Sequence, residues 1–437
     1  MSTPSKPDIV LAAGLRTYQA RAGSAFAGEN AGHLGASLAR EIMARAALDP
    51  KELDEVIVGC VGEPHDQANI ARVIALRAGI PQEVPAQTVA RNCASGMQAI
   101  GTAFDAIRAG RGDTFLCMGV EVMSAYPLLF GRAATAFFGR LAKARNLPQK
   151  LATLASFRPA MLTPRIALVE GLRDPTCGLL MGSTAEHLAR DFGISREAGD
   201  AFALESHRRA QAALESGRFA REAMPHLGLG AKAGVSALAR DEGIRAEQTL
   251  AALAKLGPYF EKPDGVVTVG NACGISDGAA GMIVCTAKRA KQLGLEVLAK
   301  LRSVAWAGCE PARMGLGPVF SSAKALEQAG CKLKDMDVVE INEAFAVQVL
   351  ACAEAFQSDR FAQEHLGRPK ALGELDPKRL NPNGGAIALG HPVGATGARM
   401  LLTLAHELAV GDHQLGLATL CIGGGQGGAV VLERVSS

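Results

Sequence analysis

Leu53-Asp54-Glu55-Val56-Ile57 and Met336-Asp337-Val338-Val339-Glu340 decide the reading of the fold. Each follows a helical pattern that ends in a short polar turn, and each leads into a β-rich run. Around the first, Ile9 to Ala12 reads as a strand, Gly35 to Ala47 as a helix, Glu55 to Gly59 as a strand and Ala68 to Ala78 as a helix. Around the second, Ala299 to Ala307 reads as a strand, Ser322 to Gly330 as a helix, Val338 to Asn342 as a strand and Thr396 to Leu408 as a helix. Such alternation predicts an α/β fold. The return of the same order predicts an internal duplication. Residues 121–256 differ, with long helical stretches such as Ser195 to Ser216 and few strand signals. The expected division is a first half at 1–120 completed by about 257–292, an inserted, mainly helical domain at 121–256, and a second half at 293–437.

The 437 residues suffice for two or three cores, and 48% hydrophobic with 20% charged content excludes disorder as the main state. A formal net charge of only +3 provides no global field, so no nucleic-acid partner is expected. Ten cysteines lie scattered without a CxxC pair, mostly in apolar runs such as Val56 to Val61 and Met282 to Thr286, which is not a disulfide framework. Met1 to Pro7 lacks the charged and apolar regions of a secretory signal. No window approaches the roughly 18 apolar residues of a membrane span. A reducing, cytoplasmic location is the expectation.

Chemistry concentrates in four stretches. Pro85-Ala86-Gln87-Thr88-Val89-Ala90-Arg91-Asn92-Cys93-Ala94-Ser95-Gly96 runs from a strand-like stretch into a helical one, Met97 to Ala109, placing Cys93 at a helix N-terminus. Free amide groups and the helix dipole there favour a thiolate, the form a cysteine nucleophile uses. Alone, such a cysteine reads more readily as a small buried residue. Asn381 to Gly397 is a glycine-rich loop carrying His391. An imidazole suits proton abstraction from a thiol near neutral pH, although alone it reads as a structural residue in a turn. Cys421-Ile422-Gly423-Gly424-Gly425-Gln426-Gly427-Gly428 formally contains GxGxxG, but Ala429 to Leu432 reads as a strand, and a dinucleotide fingerprint should open a helix. These glycines suit a turn whose N–H groups line a site. Glu340 to Ala346 ends a strand with the polar pair Asn342-Glu343, suited to ordering a water or an oxyanion.

Together these stretches resemble the thiolase family: CASG at Cys93 to Gly96, NEAFA at Asn342 to Ala346, GGAIALGHPVGATGAR at Gly384 to Arg399 and CIGGGQGG at Cys421 to Gly428. Met181 to Glu186, Val267 to Gly274 and Asp277 to Ala280 extend the likeness over essentially the whole chain. The resemblance implies a duplicated αβαβα layered core with an inserted helical loop domain. It also implies an acyl-CoA acyltransferase, in which His391 deprotonates Cys93 and the thiolate attacks the ketone carbon of 3-ketoacyl-CoA. Cys421 would protonate the departing acetyl-CoA carbanion, or abstract the acetyl-CoA α-proton in the condensing direction. One oxyanion hole is implied at His391 with a water ordered by Asn342, the other at the N–H groups of Cys93 and Gly423. The pantetheine arm is expected near Met181, Cys273, Ala344 and Phe345, with Arg245 a candidate for the nucleotide end of CoA and a surface arginine as the bland alternative. No metal, nicotinamide or flavin is called for, since acyl-CoA, acetyl-CoA and CoA are substrates. Assembly as a homodimer or homotetramer is implied. Ketoacyl-ACP synthases share the duplicated fold, but have histidines or an asparagine in place of a second cysteine, so Cys421 decides for thiolase.

Departures bear on the substrate. Leu180 stands where short-chain members commonly have histidine, and Cys273 where serine or threonine is usual. Tyr126 to Arg173 carries eight cations against the single acid Glu170, interleaved with leucine and phenylalanine. It resembles the extended loop of β-subunits of trifunctional fatty-acid-oxidation complexes, although those often have histidine at the position of Asn342. The stretch is expected either to meet a membrane surface or a β-oxidation partner subunit, or to pack on its own protein as any amphipathic hairpin does. Medium or long acyl chains are the expected substrates, in fatty-acid β-oxidation, with acetoacetyl-CoA (acetyl-CoA C-acetyltransferase activity) as the alternative. A non-catalytic lipid-binding relative is a third reading. Intact Cys93, Asn342, His391 and Cys421 speak against it.

Overall fold

The structure is a computed structural model that describes residues 7–229 and 235–435. Its main sheet uses β1 (Ile9–Thr17), β2 (Glu55–Gly59), β3 (Ala86–Val89), β4 (Thr114–Val122), β5 (Ser276–Thr286), β6 (Val297–Gly308), β7 (Val338–Ile341), β8 (Leu415–Ile422) and β9 (Gln426–Glu433). In space the order is β3-β2-β4-β5-β1-β6-β9-β8-β7. The antiparallel pair β1 and β6 lies at the centre. Outward on one side, β5 is antiparallel to both β1 and β4, while β4, β2 and β3 run parallel. Outward on the other, β9 is antiparallel to both β6 and β8, and β8 runs parallel to β7. A single parallel bridge between Val339 and Leu380 takes the place that β3 holds in the first half.

The duplication reaches individual side chains. The Asp54 carboxylate accepts from the N–H groups of Asp113 (2.7 Å) and Thr114 (2.9 Å), fixing the start of β4. Asp337 does the same for β8, accepting from Gln414 (2.8 Å) and Leu415 (3.1 Å). These are the aspartates of the two matching sequence stretches.

Helices α1 (Ala31–Arg45), α2 (Ile70–Arg77), α3 (Ser95–Arg108), α4 (Met181–Phe192), α5 (Arg196–Glu215), α6 (Gly317–Ala329), α7 (Ala346–Gln357) and α8 (Val393–Val410) complete the layers. Alternate residues of a strand face opposite sides of its sheet. Val56 and Val58 therefore join an outer core with Leu34, Leu38 and Ile42 of α1, whereas Ile57 joins an inner core with Met97, Ile100 and Phe104 of α3 and Met400, Leu401 and Leu404 of α8. In the second half Val338 faces that inner core, and Val339 and Ile341 face an outer one containing Leu326 of α6 and Phe356 of α7. Five layers result, with α3 and α8 in the middle. A helix sandwiched this way is buried on every face and mostly apolar, and Gly394 to Ala405 of α8 are all buried, with Thr396, Arg399 and Thr403 the polar exceptions. Each fully buried aliphatic side chain contributes about 1.5–3 kcal/mol.

Residues 126–173 form a small hairpin of Leu128–Leu129 with Arg165–Ile166 and the helices Arg132–Lys143, Leu147–Ala155 and Ala167–Gly171. Of the helix Arg132–Lys143, Ala134 and Phe137 are buried. Leu128, Phe138, Leu147, Leu151, Leu154 and Ile166 remain exposed, Leu147 by 68%. Among the described residues no helix is long and apolar enough to cross a membrane.

Candidate active site

Cys93 sits in the turn between β3 and α3. Asn92 adopts a left-handed conformation (φ 44°) and α3 opens at Ser95. The Ser95 hydroxyl accepts from the Arg91 N–H (2.9 Å) and donates to the Asn92 carbonyl (2.8 Å). Asn92 Nδ2 donates to the Gly423 carbonyl (2.7 Å), tying this turn to the one joining β8 and β9. That second turn is a hairpin and opens no helix, as its sequence requires. Gly425 has φ +78°, and a Cβ on it would lie 2.4 Å from the Cys309 carbonyl oxygen, so only glycine fits. The backbone amides of Gly423 and of Cys93 itself favour the ionised sulfur. Burial nevertheless raises the Cys93 thiol above its ordinary value, against those two amides. The amides favour the thiolate and burial outweighs them, so a base would assist deprotonation.

His391 lies two residues before α8. Gly390, at φ +113°, brings the backbone within 2.5 Å of Ser276 Oγ at the point where a Cβ would stand. Ser276 Oγ in turn accepts from the His391 N–H (3.3 Å). His391 Nδ1 lies 2.7 Å from Thr396 Oγ1, and that hydroxyl donates to the Pro392 carbonyl (3.0 Å). A hydroxyl has one proton, so toward the imidazole Thr396 accepts, and Nδ1 carries the hydrogen. Nε2 is left with a lone pair, buried and without a partner among the described residues. Burial, and after it the charge of Arg399, lowers His391 to about 4, which keeps the ring neutral near pH 7.

Two carboxylates hold this loop. Glu121, near the end of β4, accepts from Gly394 N–H (2.9 Å), Val61 N–H (3.0 Å), Gly62 N–H (2.9 Å) and the Tyr126 hydroxyl (3.0 Å). Glu343 accepts from Ser206 Oγ (2.6 Å), Asn381 Nδ2 (2.9 Å) and Ile387 N–H (3.2 Å). The Asn342-Glu343 pair thus divides its work. Glu343 is a fully bonded anchor, whereas Asn342 is fully buried with neither amide atom partnered among the described residues. A buried, unpaired amide marks a position for ordered water or a polar substrate atom.

Cys421, on β8, is fully buried, and burial followed by the proximity of Cys93 raises its thiol well above the ordinary value. Cys273 is pushed up to about 12 by burial and then by Cys93. Three sulfurs share one site. The Cys273 N–H donates to the Ala344 carbonyl (3.0 Å), Ala272 bridges Phe345, and Met181, Ala344, Phe345 and Cys421 belong to one apolar cluster.

A cavity of about 230 Å3 opens on Cys93, with Asn92, Met181, Val393 and Gly423 at its floor and Tyr126, Leu168 and Leu172 in its wall. A second, of about 60 Å3, is bordered by Ser276 and Gly390 beside His391 and reaches Arg21, His207 and Arg245. Arg245 is exposed and lies outside the first cavity. Sequence reasoning missed Thr396, Glu121, Ser276 and the wall from Tyr126 and Leu168 to Leu172. Thr396 alone carried a signal, standing within the histidine loop itself. The cluster with metal-ligand chemistry, Glu29, His33 and His226, lies elsewhere, at the start of α1. Its imidazoles already contact the two Glu29 oxygens at 2.9 and 3.0 Å.

The comparisons with known proteins agree with this geometry. The family description "Thiolase, N-terminal domain" matches residues 9–288, and "Thiolase, C-terminal domain" matches residues 295–434. An acetyl-CoA acetyltransferase of Pseudomonas aeruginosa is 42% identical over 98% of this chain and 99% of its own. A 3-ketoacyl-CoA thiolase of Aeromonas salmonicida is 42% identical over 98% of this chain and 100% of its own. The crystal structure of human mitochondrial 3-ketoacyl-CoA thiolase in complex with CoA superposes with a TM-score of 0.83, at 34% identity, over 98% of both chains. With both halves matched in order, and the layered core reproduced across nearly its whole length, this chain belongs to the thiolase family.

Proposed function

We propose that the protein is an acyl-CoA acyltransferase that cleaves 3-ketoacyl-CoA with CoA, or runs the reverse Claisen condensation, through an acyl-Cys93 thioester. His391 Nε2 takes the Cys93 proton, and the sulfur attacks the ketone carbon. The bond between the ketone carbon and the α-carbon breaks. Cys421, held as a thiol by burial, gives its proton to the departing acetyl-CoA carbanion. CoA then gives its thiol proton to the Cys421 thiolate and its sulfur attacks the acyl-Cys93 carbonyl; acyl-CoA forms as the Cys93 thiolate leaves and recovers its proton from His391. Charge on the acyl oxygen meets the N–H groups of Cys93 and Gly423, while charge on the acetyl thioester oxygen meets His391 and a water held by Asn342. No step needs a metal or a redox cofactor. The observation that carries this reading is the cavity that opens on Cys93 and Gly423, with the buried Cys421 thiol close to Cys93.

Medium or long acyl chains fit the apolar wall of Tyr126, Leu168 and Leu172. Acetoacetyl-CoA is the alternative, and rates across an acyl-chain series separate the two. The small cavity with Arg21 and Arg245 suits the anionic end of CoA. Residues 126–173, within an insertion at 121–256, present their exposed apolar and basic side chains to a membrane surface or a partner subunit, and the chain assembles as a homodimer or homotetramer. CoA-dependent cleavage of 3-ketoacyl-CoA by wild type and Cys93→Ala tests the core of the proposal. Loss of turnover is expected, and equal rates would remove Cys93 from the mechanism.

A further inference from the structure

Behind the catalytic side chains lies a second group of buried polar atoms that the reaction as written does not use. Val338 faces the inner core, so Glu340 and Asn342, two and four residues further on, face the same way, toward α8. Arg399 stands on α8 opposite them and is 1% exposed. Its Nη1 lies 3.6 Å from Glu340 Oε2, too far for a direct hydrogen bond. Arg399 Nε and Nη1, Glu340 Oε1, both Asn342 amide atoms and His391 Nε2 are all buried without a partner among the described residues. Leaving so many groups dry would cost more than a fold tolerates, and ordered water is the ordinary remedy.

We propose that Arg399, buried with Glu340 behind His391 and Asn342, is a positioning residue for the reaction, holding both side chains in working orientation through a fixed guanidinium and the water it orders. The inference rests on the reading of His391 as the base. Arg399 touches no reacting atom and acts through the imidazole and the amide.

The surrounding charges support this. Glu340 and Glu343 come from β7 and the turn after it, Glu407 from α8, Glu222 from the segment before Ala223, and Glu121 from β4. Burial pushes Glu340 up to about 8, against the pull of Arg399. Of all these charged groups, Arg399 is the one that bears on His391, adding to burial in keeping the ring neutral.

The test compares Arg399→Met and Arg399→Lys with wild type and His391→Ala, using cleavage of acetoacetyl-CoA by CoA from pH 4.5 to 9. For the methionine enzyme kcat is expected to fall about a hundredfold with KM within about threefold, and the acid limb of kcat/KM to rise by about one pH unit. Lysine keeps the charge without the planar fork, so its acid limb should stay at the wild-type position while kcat falls about tenfold. An unmoved acid limb in the methionine enzyme, or a mere loss of active fraction, overturns the proposal. If the methionine enzyme does not fold, the lysine enzyme decides alone, and either a shifted limb or full kcat overturns it. Full activity in His391→Ala would sink the functional reading instead, independently of Arg399.

Discussion

Replacing Thr396 with valine removes one oxygen and almost no volume, yet it should disable the histidine. In the native site the Thr396 hydroxyl is 2.7 Å from His391 Nδ1 and spends its own proton on the Pro392 carbonyl, 3.0 Å away. Valine offers no acceptor, and the ring is 5% exposed, so water cannot simply take its place. Two outcomes are open to the imidazole. Keeping Nδ1–H leaves a buried donor unpaired, at a cost of about 1–3 kcal/mol. Moving the proton to Nε2 relieves that cost and occupies the lone pair that must receive the Cys93 proton. The cost of the first outcome lowers the population of the competent tautomer in favour of the second. A 1.4 kcal/mol penalty is about tenfold and 2.7 kcal/mol about a hundredfold. General-base catalysis itself is worth about 10²–10⁴-fold. The expected result for Thr396→Val is a kcat lower by about 10²-fold with KM nearly unchanged, because Thr396 lines neither cavity that opens on the site. Thr396→Ser, which restores the oxygen, should recover most of the rate. The assay is steady-state cleavage of acetoacetyl-CoA by CoA, with the thermal midpoint recorded in parallel. A valine enzyme within twofold of wild-type kcat would refute the tautomer assignment, and so would a serine enzyme no better than valine.

Two further outcomes follow from charges elsewhere in the chain. Arg16, fully buried, bonds Glu222 (2.8 Å) and both oxygens of Asp241 (2.8 and 3.0 Å); burial opposes ionisation of Glu222, but Arg16 and Arg218 outweigh it and hold the carboxyl at about 2. Arg16→Met should therefore cost about 3–5 kcal/mol at pH 7 by stranding two buried carboxylates. A carboxyl depressed on folding stabilises above its unfolded pKa of about 4.3 and loses that contribution as pH falls toward about 2, so the gap in thermal midpoint between wild type and variant should narrow below pH 4. A gap independent of pH would remove the ion cluster as its cause. For residues 126–173, the double substitution Phe138→Ser and Leu151→Ser should weaken cosedimentation with anionic vesicles about a hundredfold while sparing acetoacetyl-CoA turnover. Unchanged binding would return these exposed side chains to the status of ordinary surface. Deleting the whole stretch is the poorer experiment, because Tyr126 and Leu168 to Leu172 wall the Cys93 cavity.

Much of this was legible in the sequence because local chemistry dictated it. β-branched runs and helical periodicity mark the repeated order of strands and helices, and the glycines around His391 and Cys421 announce turns that no side chain could occupy. Cys93, His391, Asn342 and Cys421 were each visible as a reactive or polar residue at the end of an element. What stayed hidden depends on contacts across the chain. Glu121 reads as one acid in an apolar strand, and its bond to Gly394, 273 residues away, has no sequence signature. The elevated Cys93 thiol follows from three-dimensional burial, which a helix-terminus argument from sequence leaves out. Glu343 and Asn342 look equivalent in the motif and differ only because Ser206, Asn381 and Ile387 surround the first.

The duplication explains how residues so far apart converge. Helices α3 and α8 occupy equivalent places in the two halves and pack on each other in the middle layer. Cys93 lies two residues before the first and His391 two residues before the second. Likewise Glu121 is the penultimate residue of β4 and Cys421 the penultimate residue of its counterpart, β8. Equivalent backbone positions thus deliver side chains to one place, and their chemistry then diverges. A thiol stands just before one helix and an imidazole just before the other. Near the strand ends, the first half carries a carboxylate saturated by backbone and tyrosine donors and the second a buried thiol. A symmetric pair of catalytic groups would serve a reaction with two identical steps. Breaking a carbon–carbon bond needs one group to accept a proton and another to donate one, and under the proposed mechanism both come from the second half. Under the proposed mechanism the first half supplies the nucleophile and the anchoring carboxylate, and the second supplies the base, the acid and the water-ordering amide. Neither half would then hold a complete site, and the packing of α3 against α8 would be as necessary to turnover as any of the reacting side chains.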